Sequence, residues 1–181
     1  MPPAAFASAS SRGERSNILR VFLRPLRLAL AFGALLSSSA SPVLAASNVR
    51  ITGLSDVAFS SVSFSSDTTL AENVCAYSNS STNGYRVTAT GTGSGGAFSL
   101  ASGSNVLAYE VQWSAQSGKT SGVQLTAGVP LTGLTSTATQ QACNAGPATS
   151  ASLIVILRSS AVSAATAGTY NGSLTLLIAP E

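Results

Sequence analysis

The sequence predicts an all-β protein, an antiparallel β-sandwich, and three observations predict it. Over residues 46–181 apolar side chains alternate with Ser, Thr and Gly instead of recurring three and four apart, so no stretch reads as a helix of ten residues or more. About eight strand-like stretches follow one another at spacings of roughly 8 to 15 residues, as in all-β sandwiches. Turn chemistry separates them at 80–84, 91–96, 103–105 and 118–122. Parallel architecture is excluded because no crossover helix is available.

Residues 1–45 read as a secretory leader. Arg12, Arg15, Arg20, Arg24 and Arg27 form a basic n-region, 28–36 (LALAFGALL) an apolar h-region, and Val43-Leu44-Ala45 a cleavage site. Cleavage is expected before Ala46, leaving one domain over 46–181. An h-region of this length is about half of a membrane span, so no membrane span is expected. No Cys follows the cleavage site to carry a lipid.

The strand stretches then come in order. Val57, Phe59, Val62 and Phe64 predict a first strand region, bent near Ser60-Ser61. Residues 73–77 (NVCAY) are the second. Residues 85–90 (YRVTAT) place Tyr85, Val87 and Ala89 on one face against Arg86, Thr88 and Thr90, a half-buried strand. Residues 97–100 follow, then 106–113 (VLAYEVQW), with Leu107, Tyr109, Val111 and Trp113 on one face. A short stretch at 123–126 precedes 152–157 (SLIVIL), an unbroken apolar run suited to a strand covered on both faces. The last and longest is 169–179 (TYNGSLTLLIA).

Composition narrows the function. Of 181 residues only 8% are charged and none is His, which removes the commonest general base and metal ligand. The basic excess belongs to the leader. Over 46–181, Arg50, Arg86, Lys119 and Arg158 stand against Asp56, Asp67, Glu72, Glu110 and Glu181, a net charge of −1, and no nucleic-acid partner is implied. Cys75 and Cys143 are an even pair in an exported chain and predict one disulfide. Its loop of about 70 residues corresponds to about 4 kcal/mol on the chain-entropy model.

No catalytic motif survives its structural reading. Residues 91–96 (GTGSGG) match GxGxxG, but strand residues follow where a phosphate site needs a helix N-terminus, so they read as a hairpin loop. Gly118-Lys119-Thr120 lacks the earlier glycine of a phosphate-binding loop, its place being held by Trp113. Asp56, Asp67, Glu72 and Glu110 lie in turn or strand-face contexts and read as solvated surface, not as a glycosidase pair. No enzyme activity, metal or cofactor is expected.

The C-terminal segment carries a resemblance. Residues 167–178 (AGTYNGSLTLLI) are similar to the ending of chaperone–usher fimbrial subunits and of spore coat protein U-like secreted domains. Residues 107–113 (LAYEVQW) and 84–90 (GYRVTAT) resemble the corresponding strands of such pilins. The resemblance implies an immunoglobulin-like sandwich lacking its final strand, completed first by a periplasmic chaperone and then by a strand of the next subunit at an outer-membrane usher. It implies that Gly168, Tyr170, Leu174, Leu176 and Ile178 form the edge offered to these partners and that the Glu181 carboxylate anchors the chaperone. No strand is expected after Ile178, since the sequence ends three residues later. Pro180 stands where the best-known pilins have a penultimate Tyr. Val49, Ile51 and Gly53 fit a donor strand for a neighbouring subunit, and fit the domain's own first strand equally well.

The leading expectation is thus a non-enzymatic structural subunit of a surface fimbria or coat, exported to the periplasm and cell surface and assembling with homologous subunits. The second is a self-complete secreted sandwich acting as a binding or adhesion module through Tyr85, Tyr109 or Trp113, which requires those rings at the surface. A secreted hydrolase would require Asp56, Glu72 and Glu110 to converge.

Overall fold

The computed structural model describes residues 47–181; the leader expected over 1–45 and the cleavage point before Ala46 lie outside them. The expected all-β class is what these residues adopt. One antiparallel sheet contains β1 (Val49–Thr52), β2 (Thr68–Ser78), β9 (Ala151–Leu157), β6 (Glu110–Ser114) and β7 (Val123–Gln124), in that spatial order. A second contains β10 (Leu174–Pro180), β3 (Gly84–Gly91) and β8 (Leu131–Thr135), also in that order and antiparallel. A hairpin of β4 (Ser99–Ser102) and β5 (Asn105–Ala108), a single 3-10 turn over Ser94–Gly96 and one short helix, α1 (Ser159–Ala164), complete the described elements.

Apolar alternation explains why the two sheets stack. Val74, Val111, Val155 and Leu157 from the first and Tyr85, Val87, Leu174 and Leu176 from the second fall into one buried cluster. This is the layering of an antiparallel β-sandwich. Trp113 on β6 and Tyr85 on β3 join the layers: the indole Nε1–H donates to the Tyr85 hydroxyl at 3.2 Å, and the rings meet edge to face at 6.5 Å and 81°. Aromatic pairs favour this arrangement, and burial requires a partner for the indole N–H.

The unbroken run of β9 is covered as expected, with all seven residues buried. Loop 114–122 folds over its outer face: Ser152 Oγ donates to the Gln116 carbonyl at 2.9 Å and accepts the Lys119 N–H at 3.1 Å. The expected disulfide joins Cys75 on β2 to Cys143 in the segment before β9, with Cα atoms 5.9 Å apart. It packs with Ala138 and Tyr77 in a small separate apolar cluster.

Several boundaries differ from the sequence reading. The expected strand over Val57 to Phe64 is absent; only Phe59 makes an isolated bridge, and its ring is buried. Side-chain bonds turn the chain at the end of this segment: Ser63 Oγ accepts the N–H groups of Ser65 and Ser66, and Thr68 Oγ1 accepts that of Ser63. Such side-chain bonds compete with a sheet ladder. Residues 106–113 alternate as expected, with Leu107, Tyr109, Val111 and Trp113 buried, but split at Tyr109 as the chain passes from the β4–β5 hairpin into the five-stranded sheet. β8 escaped the sequence reading because Gly133, at φ +73°, interrupts its short LTGLT pattern.

Candidate assembly edge

β10 is prepared by the segment before it. The last strand was expected from Thr169, yet 167–173 form an anchor instead of a strand. The Tyr170 ring is buried and its hydroxyl donates to the Thr166 carbonyl at 2.8 Å. Asn171 makes a two-way main-chain bridge with Ala101 of β4. Gly172 is a close approach that only glycine permits, since a Cβ there would stand 2.8 Å from the Ser99 carbonyl oxygen. Gly168 packs likewise, with room for a Cβ limited by Ser102 Oγ at 2.7 Å.

From Leu174 the strand alternates. Leu174 and Leu176 are buried against the core, Ile178 is half-buried, and Thr175 and Leu177 face solvent. β10 pairs with β3 from Leu174 opposite Gly91 to Pro180 opposite Tyr85. Among the described residues nothing pairs with its other side, so it is an edge strand.

The ladder shows which main-chain groups that edge presents. Glu181, one place beyond Pro180, donates its N–H to the Gly84 carbonyl at 3.1 Å. In an antiparallel ladder, residues alternate between bonding the partner and turning their N–H and C=O away from it. Thr175, Leu177 and Ala179 therefore bond β3. Leu174, Leu176, Ile178 and Pro180 turn outward, and Pro180 has no N–H to leave unpaired. Three donors and four acceptors face the free side. No charge lies between Leu174 and Pro180, and natural sheets usually protect an edge with charge, bulge or cover.

The other expected site residues can now be placed. Val49 and Ile51 lie on β1, paired with Ser78 and Ala76 of the chain's own β2, and Ile51 is buried. Gly53 follows the strand at φ +81°. β1 and β10 are edges of opposite sheets and lie alongside each other at the same open side of the sandwich. Val49 sits at the C-terminal end of β10, because its partner Ser78 donates to the same Gly84 carbonyl that Glu181 uses. The Glu181 carboxylate is engaged within the chain, accepting the Gly133 N–H at 2.7 Å, while its main-chain oxygen accepts the Thr82 hydroxyl at 3.3 Å.

The aromatic residues of the binding-module expectation do not form a surface. Tyr85, Tyr109 and Trp113 are all buried, and burial pushes the Tyr109 hydroxyl up to about 12. The carboxylates are dispersed. Asp56 is exposed. Glu72 accepts the Ser55 N–H at 2.6 Å and also its hydroxyl, and with Asp56 lines a cleft of about 310 Å3 beside Val57 and Leu70. Asp67 and Glu110 share Arg158, each at 2.6 Å. The Ser159 N–H and the Arg158 guanidinium hold the Asp67 carboxyl below its ordinary range. Among the described residues no group of three or more His, Cys, Asp or Glu could hold a metal ion, and no helix there is long and apolar enough to cross a membrane. No protein-family model, curated protein or solved structure matches the chain.

Proposed function

We propose that this protein is an exported, non-enzymatic structural subunit of a surface fimbria or coat, assembled by adding a strand from another polypeptide to β10. One observation carries the reading: the last strand is uncharged, bonded on one side only, and turns three N–H donors outward. Strand addition draws affinity from such main-chain groups. The pilin resemblance of 167–178 and the leader-like 1–45 support the same reading. A periplasmic chaperone, an outer-membrane usher and homologous subunits are the partners it implies.

The arithmetic of the first strand constrains the donor. With cleavage before Ala46, only three residues precede Val49, far fewer than the seven of β10. Val49 and Ile51 could donate only by leaving β2. The test is Ile178→Pro, which removes an outward N–H and leaves the bonds to β3 in place. The variant is expected to be exported and oxidised at Cys75–Cys143 yet absent from surface assemblies. Wild-type assembly by this variant would overturn the proposal.

A further inference from the structure

We infer that, when no chaperone or neighbouring subunit occupies it, the free edge of β10 is covered by β10 of a second copy, in an antiparallel pair about a two-fold axis at Leu176. The inference rests on the reading that this edge accepts a strand, and it names the partner.

Self-complementarity carries the argument. The outward residues Leu174, Leu176 and Ile178 are evenly spaced about Leu176. Turned through 180°, Leu174 meets Ile178 of the second copy, Leu176 meets Leu176, and Ile178 meets Leu174. Each pair can exchange both of its main-chain bonds, and Pro180, which lacks an N–H, falls outside the pairing. A C2 contact requires this property, that the same patch answer itself. Shifting the axis to residue 177 would set Pro180 against Leu174 and leave the Leu174 carbonyl without a donor.

The surroundings favour a second copy. No charge lies on β10 itself, so the paired residues bring no like charges together. Leu177, 54% exposed on the outer face, would stand beside Thr175 of the second copy and lose contact with water. The pair would make one continuous sheet of β8, β3 and β10 with their counterparts. It would also bury an uncharged edge that otherwise invites unregulated pairing.

The test uses two variants of the whole chain that each add one cysteine to the Cys75–Cys143 pair, Thr175→Cys and Leu177→Cys. With the axis at Leu176, residue 175 lies directly opposite residue 177 of the other copy. Directly opposed side chains in such a pair come within disulfide reach, whereas diagonal neighbours are too far apart. Oxidation of a 1:1 mixture is expected to link about half of the chains, the share of mixed pairs in random two-fold association, and each variant alone should stay unlinked. Linking of Leu177→Cys alone, or of Thr175→Cys alone, would move the axis and overturn the assignment. An unlinked mixture that sediments as monomer would overturn it too. If Ile178→Pro still fails to assemble in that case, strand addition stands and only the identity of the resting partner falls.

Discussion

β9 and β10 are made of much the same material and end in opposite circumstances. Each is seven residues long, uncharged and rich in Leu and Ile. β9 lies between β2 and β6, loop 114–122 is bonded to Ser152 on its outer face, and every residue is buried. β10 has β3 on one side only, and its burial alternates. The difference lies in their neighbours and not in their composition. A strand paired on both sides is closed by its own fold, whereas one paired on a single side leaves main-chain groups open on the other.

The largest expected effect comes from breaking β9. Val155→Asp places a carboxylate in the shared core, where Val155 is buried with no cation at hand. An unpaired buried charge costs several kcal/mol or more, so the variant should yield no folded protein by circular dichroism. Thr175→Asp, on the exposed face of β10, should change the stability of the single domain by less than about half a kcal/mol. Comparable losses from both would remove the distinction between the strands.

The next effect concerns how each strand is held. The disulfide pins the segment leading into β9 across a sequence separation of 68, while β10 has no such staple. Cys75→Ala/Cys143→Ala should lower the stability measured by denaturant titration by about 4 kcal/mol on the chain-entropy model. A loss below about 1 kcal/mol would mean that the unfolded chain is constrained in some other way.

The closed strand was easier to read than the open one. SLIVIL announces a doubly covered strand because an unbroken apolar run fits no half-exposed surface, and Cys75 with Cys143 announces a disulfide by number and expected compartment. The bounds of β10 were less legible. Thr169 to Ser173 carry strand-like residues, yet Asn171 and the close approach at Gly172 dock them onto β4, and such tertiary contacts leave no local pattern. The end of the expected Val57 to Phe64 strand is turned locally, since the Ser63 N–H bonds Thr68 Oγ1 and Ser63 Oγ accepts the N–H groups of Ser65 and Ser66 just beyond it. The Arg158 cluster was invisible, because Asp67, Glu110 and Arg158 come from distant parts of the chain. That β10 is an edge was suggested only by the family resemblance, because pairing partners are not written in a strand's own residues.

A smaller effect tests the contact that supports β3, the strand paired with β10. Tyr85→Phe removes the hydroxyl that accepts the Trp113 indole N–H and leaves that donor buried. Losing a buried partner costs about 1–3 kcal/mol, which for a domain of this size lowers the melting temperature by roughly 3–9 °C. Trp113→Phe in the Tyr85→Phe background should cost less than the sum of the two single changes, because the orphaned donor disappears with the indole. Simple additivity would mean that the hydrogen bond contributes nothing beyond packing.

The smallest effect lies in how the two strands end. β10 ends at Glu181 on the Gly133 N–H, and β9 ends at Arg158, which bridges Glu110 and Asp67 as Asp67 accepts the Ser159 N–H at the start of α1. The folded Asp67 carboxyl is held below its ordinary value of 3.8. Its contribution is therefore present above that value and lost as pH falls through the lower folded value. The latch is exposed, so the effect should be modest and weaken in salt. Asp67→Asn should melt slightly below wild type at neutral pH, and the gap should close as pH falls below about 4. A gap of the same size at every pH would show that Asp67 acts through hydrogen bonds an amide cannot reproduce, and that charge has no part in closing β9.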